Sequence, residues 1–175
     1  SALYNESSRV FDPDPAHDDL RRKLGADIAA LGNLENEATG IESGYVYNES
    51  DLNSANHELT VCGKPEAYSP ELVPGARLPH VYDEAGHPLC DRLGKGLTVL
   101  CQPKATARAE ALTARIKSKG LPVSQAEFPA SFMRLFPSAE LLLLRPDCHL
   151  IWVGCDGNED DPLLEAVLVR ISPRP

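Results

Sequence analysis

Residues 73–100 decide the fold of this chain, and they read VPGARLPHVYDEAGHPLCDRLGKGLTVL. The segment opens with a Pro-Gly turn and closes with Gly94-Lys95-Gly96 ahead of an apolar run that ends at Cys101. Two glycines before leucine and β-branched residues are typical of a chain that turns and enters a buried strand. We therefore predict a central strand over 97–101 that is buried on both faces.

The residues after this strand predict a strand–helix–strand unit. A helix begins at Pro103 and ends at Gly120, and an extended segment follows over 121–128. The face of the helix that packs on the sheet is formed by Ala105, Ala109, Leu112 and Ile116. A unit of about thirty residues in this order predicts two parallel strands joined by a right-handed crossover.

Two further apolar runs, at 141–144 and 150–153, predict an antiparallel hairpin. Between them, Pro146-Asp147 is typical of a tight turn. A closing helix then begins at Pro162. The order strand, helix, strand, hairpin, helix predicts an α/β thioredoxin-like fold, which is a mixed sheet with flanking helices.

The N-terminal residues predict a helical and extended segment ahead of that domain, so we divide the chain into 1–72 and 73–175. Asp14-Pro15 fits the start of a helix that continues to Gly32. Short strands are predicted at 44–47 and 59–62, and an extended crossing at 63–74. The helix carries an apolar stripe formed by Leu20, Leu24, Ile28 and Leu31. Because the short segment that follows cannot bury this stripe, we predict that it is an interface.

Charge and hydropathy exclude several classes of partner. The formal net charge of −9 argues against nucleic acid and anionic membrane surfaces, which select clustered lysine and arginine. The longest purely apolar run, 141–144, is far shorter than the ~20 residues that span a bilayer. There is no signal-peptide pattern at the N-terminus. We expect a cytoplasmic protein without membrane or nucleic-acid partners.

The cysteines and histidines do not predict a disulfide framework or a metal site. The five cysteines, at 62, 90, 101, 148 and 155, include no CxxC pair, so we predict reduced and mostly buried thiols. The five histidines, at 17, 57, 80, 87 and 149, never fall at paired ligand spacing.

Three motifs, in order, carry a family resemblance: PGARLPHV at 74–81, DRLGKGLTVL at 91–100 and LLLRPDCHLIWV at 142–153. Together they resemble the C-terminal thioredoxin-like domain of FAD-dependent aromatic-ring hydroxylases, the class A flavoprotein monooxygenases of phenol hydroxylase type. The resemblance covers about 75–173, and the helix at 18–31 resembles the segment that links this domain to the flavin domain. One departure is Cys148, where the family usually carries glycine at a position that favours positive φ. A different turn type or local strain follows.

The resemblance implies an accessory domain that packs on a flavin domain or on a neighbouring subunit. The GxGxxG fingerprint and the later Gly-Asp flavin motif of the family are absent, and Gly94-Lys95-Gly96 is no substitute because no helix start follows it. We therefore expect the C-terminal part of such an enzyme. FAD and NAD(P)H belong to the parent enzyme and no cofactor to this chain. The expected partners are the missing N-terminal flavin domain and a second copy of the chain.

No catalytic residue is predicted, but several residues are candidates for contact or for thiol chemistry. Arg77 and His80 contact the flavin domain or a partner subunit, or else Arg77 pairs with a carboxylate and His80 bonds a backbone carbonyl to hold the turn. The hairpin-tip residues Arg145, Asp147 and His149 are interpreted as turn residues.

Cys101 is the candidate thiol, since it ends the first strand near the position where a thioredoxin carries its dithiol. Its strand context predicts burial, and no second cysteine follows. The alternative function is an independent thioredoxin-like redox or protein-binding module, which CxxC would have favoured.

Overall fold

The computed structural model describes residues 7–32, 38–47, 67–154 and 161–172. Its helices are α1 (Ser7–Val10), α2 (Asp18–Leu31), α3 (Thr39–Gly44), α4 (Thr106–Ser118), α5 (Ala130–Leu135) and α6 (Pro162–Ile171). Its strands are β1 (Leu97–Cys101), β2 (Val123–Glu127), β3 (Leu141–Leu144) and β4 (Leu150–Gly154). Three 3-10 turns cover Pro15–His17, Leu89–Arg92 and Pro103–Ala105. No helix in these ranges is both long enough and apolar enough to cross a membrane.

The four strands form one mixed sheet in the order β2-β1-β3-β4. β1 pairs in parallel with β2, and β3 pairs antiparallel with both β1 and β4. The register places Leu97 opposite Val123 and Leu100 opposite Leu142. These pairings confirm the predicted parallel strand pair, the predicted hairpin and the mixed sheet with flanking helices.

Side chains from β1 enter the two apolar clusters of the domain, because successive residues of a strand point to opposite faces. Val99 and Cys101 lie in a cluster with residues of α4 and α6, whereas Leu100 lies in a second cluster with residues of α5. All three are fully buried. The prediction that β1 is buried on both faces is confirmed.

The second cluster is closed by the segment that opens the quoted stretch. The backbone N–H of Gly75 donates to Leu150 O over 2.7 Å, and that of Leu78 donates to Cys148 O over 2.7 Å. These bonds align the segment beside the hairpin, and they place Leu78, Val81 and Leu89 in the cluster. Arg77 and His80 remain at the surface.

Gly96 is needed where the chain enters β1. A Cβ atom at this position would lie 2.4 Å from the carbonyl oxygen of Pro122. That carbonyl accepts a hydrogen bond from the backbone N–H of Leu97, so it cannot easily move away. The glycine therefore allows β2 to begin directly against β1.

The N-terminal helix begins and ends close to its predicted bounds. The Asp14 side chain accepts a hydrogen bond from the backbone N–H of Ala16, but the first turn is a 3-10 turn rather than α-helix. Gly32 follows the last residue with φ of 71°. No residue of α2 is buried.

Two local predictions have other outcomes, and one short helix has no prediction behind it. The strand predicted at 44–47 is wrong, since Gly44 ends α3 and only Val46 makes an isolated bridge, to Ala76. The strand predicted at 59–62 lies outside the described residues. Helix α5 was not predicted, because six residues are too few to show helical periodicity. It is held by Phe132, whose ring packs between those of Phe128 and Phe136.

Candidate functional site

The tip of the β3–β4 hairpin is a tight turn with a strained residue. Arg145 N–H donates to His149 O over 2.9 Å, and Cys148 N–H donates to Arg145 O over 3.2 Å. Cys148 has φ of 66° and is the one residue other than glycine with positive φ among the described residues. The chain therefore keeps the left-handed conformation that glycine favours, and cysteine adopts it at a cost in strain.

A buried histidine lies behind this tip. The His149 ring packs on Tyr45 and Tyr47, with ring centroids 5.3 and 4.8 Å away. Its Nδ1 atom lies 3.0 Å from Asp147 O, whereas its Nε2 atom is buried without a hydrogen-bond partner in the described part of the chain. Arg145 lies over the Tyr47 ring at 5.5 Å and pairs with Asp147. We call Tyr45, Tyr47, Arg145, Asp147 and His149 the hairpin cluster.

Arg77 lies beside the hairpin cluster. Its backbone forms an isolated bridge with His149, and its side chain is exposed. The hydrogen bond to Tyr47, and then burial, raise the pKa of Tyr45. The positive charge of Arg77 opposes this rise. The carboxylate partner predicted for Arg77 is not found within the described ranges.

His80 lies apart from the hairpin cluster. Its exposed ring packs edge to face on Tyr82, with centroids 4.8 Å apart. None of the hydrogen bonds described for residues 67–154 joins the His80 ring to a backbone carbonyl, contrary to one interpretation of this residue. The structure therefore brings Arg77, but not His80, to the tip of the hairpin.

The apolar stripe of α2 is partly covered at its start and open at its end. Leu20 and Leu24 are half-buried, whereas Ile28 and Leu31 expose 59% and 64% of their surface. Two large apolar side chains on consecutive turns form an exposed patch of the kind that marks an interface. Contact of this patch with a partner stays a prediction.

Cys101 is fully buried at the end of β1. Its Sγ lies 3.7 Å from Ala126 O. Burial, and then the negative charge of Glu127, raises the pKa of the thiol. Since the thiolate is the reactive form, this environment gives a poor nucleophile. A redox role for Cys101 therefore has no support in the geometry.

The starts of the longer helices carry acidic groups. The carboxylates of Asp14 and Asp161 accept backbone N–H bonds at the chain segments that lead into α2 and α6. At the start of α4, the buried Glu140 carboxylate pairs with Lys104 and Arg108. The positive ends of α2 and α6 are thus already matched by a negative charge, whereas at α4 two cations share the one carboxylate.

A cavity of about 110 Å³ lies between α4 and α6 and is lined by Arg108, Arg115, Trp152 and Leu164, among others. Both of its guanidinium groups are paired with carboxylates: Arg108 with Glu140, and Arg115 with Glu165. The cavity therefore has a mainly apolar wall, and each of its two guanidinium groups has a carboxylate partner within the fold.

Comparison with known proteins decides the family. Residues 71–175 match the family model described as the C-terminal part of aromatic-ring hydroxylases. The chain belongs to this family. The match confirms the resemblance carried by the three motifs, which all lie within it.

This aromatic-ring hydroxylase domain has relatives among fungal flavoenzymes. It is 32% identical over 126 residues to the FAD-dependent monooxygenase apdD of Emericella nidulans. This match covers 68% of this chain and 20% of that protein. It is 25% identical over 168 residues to the FAD-dependent monooxygenase opdD of Penicillium oxalicum. That match covers 92% of this chain and 32% of the relative. The chain thus spans a fifth to a third of the length of these relatives.

Solved structures share the fold of the domain. The flavin-dependent monooxygenase PieE, in complex with FAD and substrate, superposes with a TM-score of 0.69 over 97% of this chain and 32% of its own, at 24% identity. The rebeccamycin biosynthetic enzyme RebC, with reduced flavin, has a TM-score of 0.67 over 90% of this chain and 29% of its own, at 23% identity.

Sequence reasoning missed two parts of this aromatic-ring hydroxylase domain. Tyr45 and Tyr47 were interpreted only as strand residues, although aromatic residues two positions apart in an extended segment share one face. Glu140 gave no signal, because its cationic partners lie more than thirty residues away in sequence. The spacing of the two tyrosines could have indicated the hairpin cluster, whereas the burial of Glu140 could not have been inferred.

Proposed function

We propose that this chain is the non-catalytic C-terminal domain of an FAD-dependent aromatic-compound monooxygenase. The observation that carries this proposal is the match of residues 71–175 to the aromatic-ring hydroxylase C-terminal family, in a chain that covers only 20% and 32% of two FAD-dependent monooxygenases. The proposed role is packing. The thioredoxin-like domain at 73–175 supports a flavin domain, and 1–72 supplies the linker.

The flavin belongs to the parent enzyme in this proposal. FAD would supply oxygen activation and NAD(P)H the reducing electrons. The described residues of this chain do not fit the flavin pyrophosphate, which binds at the N-terminus of a helix after a glycine-rich turn. Asp14 and Asp161 already lie at the starts of α2 and α6, where they would repel a phosphate. The residues before α4, Gln102-Pro103-Lys104, lack the glycines that the pyrophosphate needs.

Two surfaces are proposed to meet the flavin domain or a second copy of the chain. One is the open end of the α2 stripe at Ile28 and Leu31. The other is the edge of the hairpin cluster, where Tyr47 exposes 42% of its surface beside Arg77. Tyrosine and arginine are the residues that most often contribute binding energy at protein interfaces. Leu20 and Leu24, which are half-buried, belong to the first surface. The exposed His80 belongs to the second surface, although it lies apart from the hairpin cluster.

A fusion protein tests this function. The chain replaces the matching segment of the monooxygenase from Penicillium oxalicum, and the purified protein is assayed for bound FAD and for NAD(P)H oxidation. We expect the fusion to retain flavin, and a truncated protein that lacks the segment to lose it. Ile28→Glu and Arg77→Glu should each lower flavin retention, because they place a carboxylate in the proposed contacts. The control is Val169→Glu on α6, where the valine is similarly exposed at 65%.

Two outcomes would contradict the proposal. One is a truncated monooxygenase as active as the whole protein, which would mean that the segment contributes no packing. The other is catalytic turnover by the 175-residue chain alone in the thioredoxin-reductase-coupled insulin assay. That result would favour the alternative of an independent thioredoxin-like redox module.

A further inference from the structure

The cavity between α4 and α6 has an apolar floor and a rim that carries positive charge. The floor is formed by side chains that are buried in the fold, namely Leu112, Leu141, Trp152 and Leu164. The rim is formed by the exposed Ala111 and the half-buried Arg108 and Arg115. Among the described lining residues, these two arginines are the only charged ones.

The spacing of residues along α4 explains why the cavity is there. Its lining positions on this helix, 108, 111, 112 and 115, are three or four residues apart, so they lie on one face. Ala111 has the smallest side chain of the four and lies one turn from each arginine. The gap that it leaves is also lined by Leu164 of α6 and by the indole of Trp152.

The indole of Trp152 is held in place by hydrogen bonds that reach the start of α6. Its Nε1–H donates to Oδ2 of Asp161 over 2.7 Å. The other oxygen of this carboxylate accepts a hydrogen bond from the backbone N–H of Leu163 over 2.8 Å. The floor of the cavity is therefore ordered in the free protein, and a ligand would not have to order it.

The positive charge at the rim exceeds the negative charge that pairs with it among the described residues. The carboxylate that pairs with each arginine also binds a lysine, which is Lys104 in the case of Arg108 and Lys119 in the case of Arg115. Four cations thus meet two carboxylates. This excess favours a further negative charge at the rim of the cavity.

We propose that this cavity binds a small aromatic carboxylate with a single ring, a function beyond the packing role proposed for the domain. Its volume of about 110 Å³ suits one ring, since an apolar protein cavity of roughly 150 Å³ takes up benzene. The ring lies on the apolar floor beside the Trp152 indole, and aromatic rings favour such contacts. The carboxylate lies at the rim, where guanidinium N–H groups are well suited to bind it.

Benzoate is the probe of this site, and the indole N–H of Trp152 is the reporter. Because the chain has one tryptophan, an isotope-labelled sample gives one indole peak in a nitrogen–proton correlation spectrum. We expect benzoate, titrated at constant ionic strength, to shift this peak until it saturates. Benzoate should also raise the urea midpoint, because it binds the folded chain and not the unfolded one.

Two analogues separate the contributions of charge and ring. Benzamide has a similar shape without the charge, and cyclohexanecarboxylate has the charge without the aromatic ring. Both should bind more weakly than benzoate. Added salt should weaken the binding of benzoate more than that of benzamide, because salt screens the attraction between charges.

Substitutions on α4 locate the site. Ala111→Phe places a ring in the gap and should abolish the saturable shift. The matched control is Ala114→Phe, at an exposed alanine of the same helix that is not among the lining residues, and it should preserve the shift. In Arg115→Met, Lys119 still pairs with Glu165, and benzoate should lose its advantage over benzamide.

Several outcomes would overturn the proposal. They are the absence of a saturable shift, a shift that persists in Ala111→Phe, and an equal shift with acetate, which would indicate a general effect of anions. Equal binding of benzamide or of cyclohexanecarboxylate would overturn the choice of an aromatic carboxylate. If Ala111→Phe does not fold, nuclear Overhauser contacts in the wild type between the benzoate ring and the methyl groups of Leu112 and Leu164 decide: their presence supports the site and their absence overturns it.

This test is independent of the packing role. The residues proposed to contact a flavin domain or a second copy, such as Ile28 and Arg77, do not line the cavity. Failure of benzoate to bind would therefore leave the fusion experiment unaffected, and failure of the fusion would leave the cavity unaffected.

Discussion

The Asp83 carboxylate organises the loop between the PGARLPH segment and β1. It accepts hydrogen bonds from the backbone N–H groups of Ala85 and His87, at 2.9 and 2.8 Å, and from the Arg92 guanidinium at 2.5 Å. The His87 N–H first, and the Arg92 side chain next, lower the pKa of Asp83 from 3.8 to about 2, against the opposing effect of burial. All of these bonds favour the ionised form.

A lowered pKa makes the contribution of Asp83 to stability dependent on pH. A carboxyl group whose pKa is lower in the folded state stabilises the fold above its unfolded pKa of 3.8, and this stabilisation is lost as pH falls towards about 2. We expect Asp83→Asn to be less stable than wild type at neutral pH, with a difference that shrinks below about pH 4. Urea midpoints measured from neutral to acidic pH test this. The control is Asp91→Asn at an exposed carboxylate of the same loop. A difference that stays constant with pH would contradict the assignment.

The buried Cys101 thiol predicts a protein that is inert in disulfide exchange. Burial raises its pKa, and the sequence has no CxxC partner beside Cys101 that could release a mixed disulfide formed there. Alkylation of Cys101 by iodoacetamide should be far slower than that of a denatured sample, and insulin reduction should show no turnover. Turnover that disappears in Cys101→Ser would instead restore the redox interpretation.

Helix α4 illustrates how an element is specified by the spacing of its apolar residues. Ala109, Leu112 and Ile116 are buried against the sheet, as the helical period predicts. Lys119 and Gly120 end the helix, and Gly120 has φ of 77°. Glu140, which pairs with Arg108, adds a contact between this helix and the residue that precedes β3.

Truncation of this helix face should empty core sites. We expect Leu112→Ala and Ile116→Ala each to lower the free energy of unfolding by about 2–4 kcal/mol, as is usual for buried aliphatic residues. The matched control is Leu135→Ala on α5, where 58% of the side chain is exposed and the change should be below about 0.5 kcal/mol. Equal urea midpoints for Ile116→Ala and Leu135→Ala would show that α4 packs differently.

At the scale of the whole molecule, the acidic groups before α2 and α6 and the lack of glycines before α4 predict that the isolated chain binds no flavin. The purified protein should be colourless, with no absorbance in the flavin band after incubation with FAD and gel filtration. It should not oxidise NADPH in the presence of phenolic compounds. A yellow protein that retains stoichiometric FAD would show that the acidic groups at Asp14 and Asp161 do not prevent pyrophosphate binding.

The exposed end of α2 predicts self-association when no flavin domain is present. Ile28 and Leu31 are largely exposed, and the simplest closed assembly of identical chains is a two-fold dimer. Sedimentation at micromolar concentration should show this dimer, and Leu24→Glu and Ile28→Glu should shift it to monomer. Val169→Glu, at a similarly exposed apolar residue of α6, should not. A wild-type chain that sediments only as monomer would argue against this interface.

The sequence by itself determined the elements of the domain and its family. β1, α4, β2 and the hairpin were predicted because each is specified by local order, namely glycine turns, apolar periods and Pro-Asp chemistry, within windows of a few to about fifteen residues. The three motifs were sufficient for the family because they occur in a fixed order along one chain. Helix α5 escaped because it is too short to have a period.

Only the tertiary structure decided which side chains meet. Arg77 reaches the hairpin cluster, and Tyr45 and Tyr47 pack on His149. Each of these contacts joins residues far apart in sequence, so their distance depends on how the 75–82 segment aligns with β4 and not on any local pattern. No carboxylate partner of Arg77 lies within the described ranges, and the sequence could not show this, because the neighbours of an exposed charge are brought to it by folding.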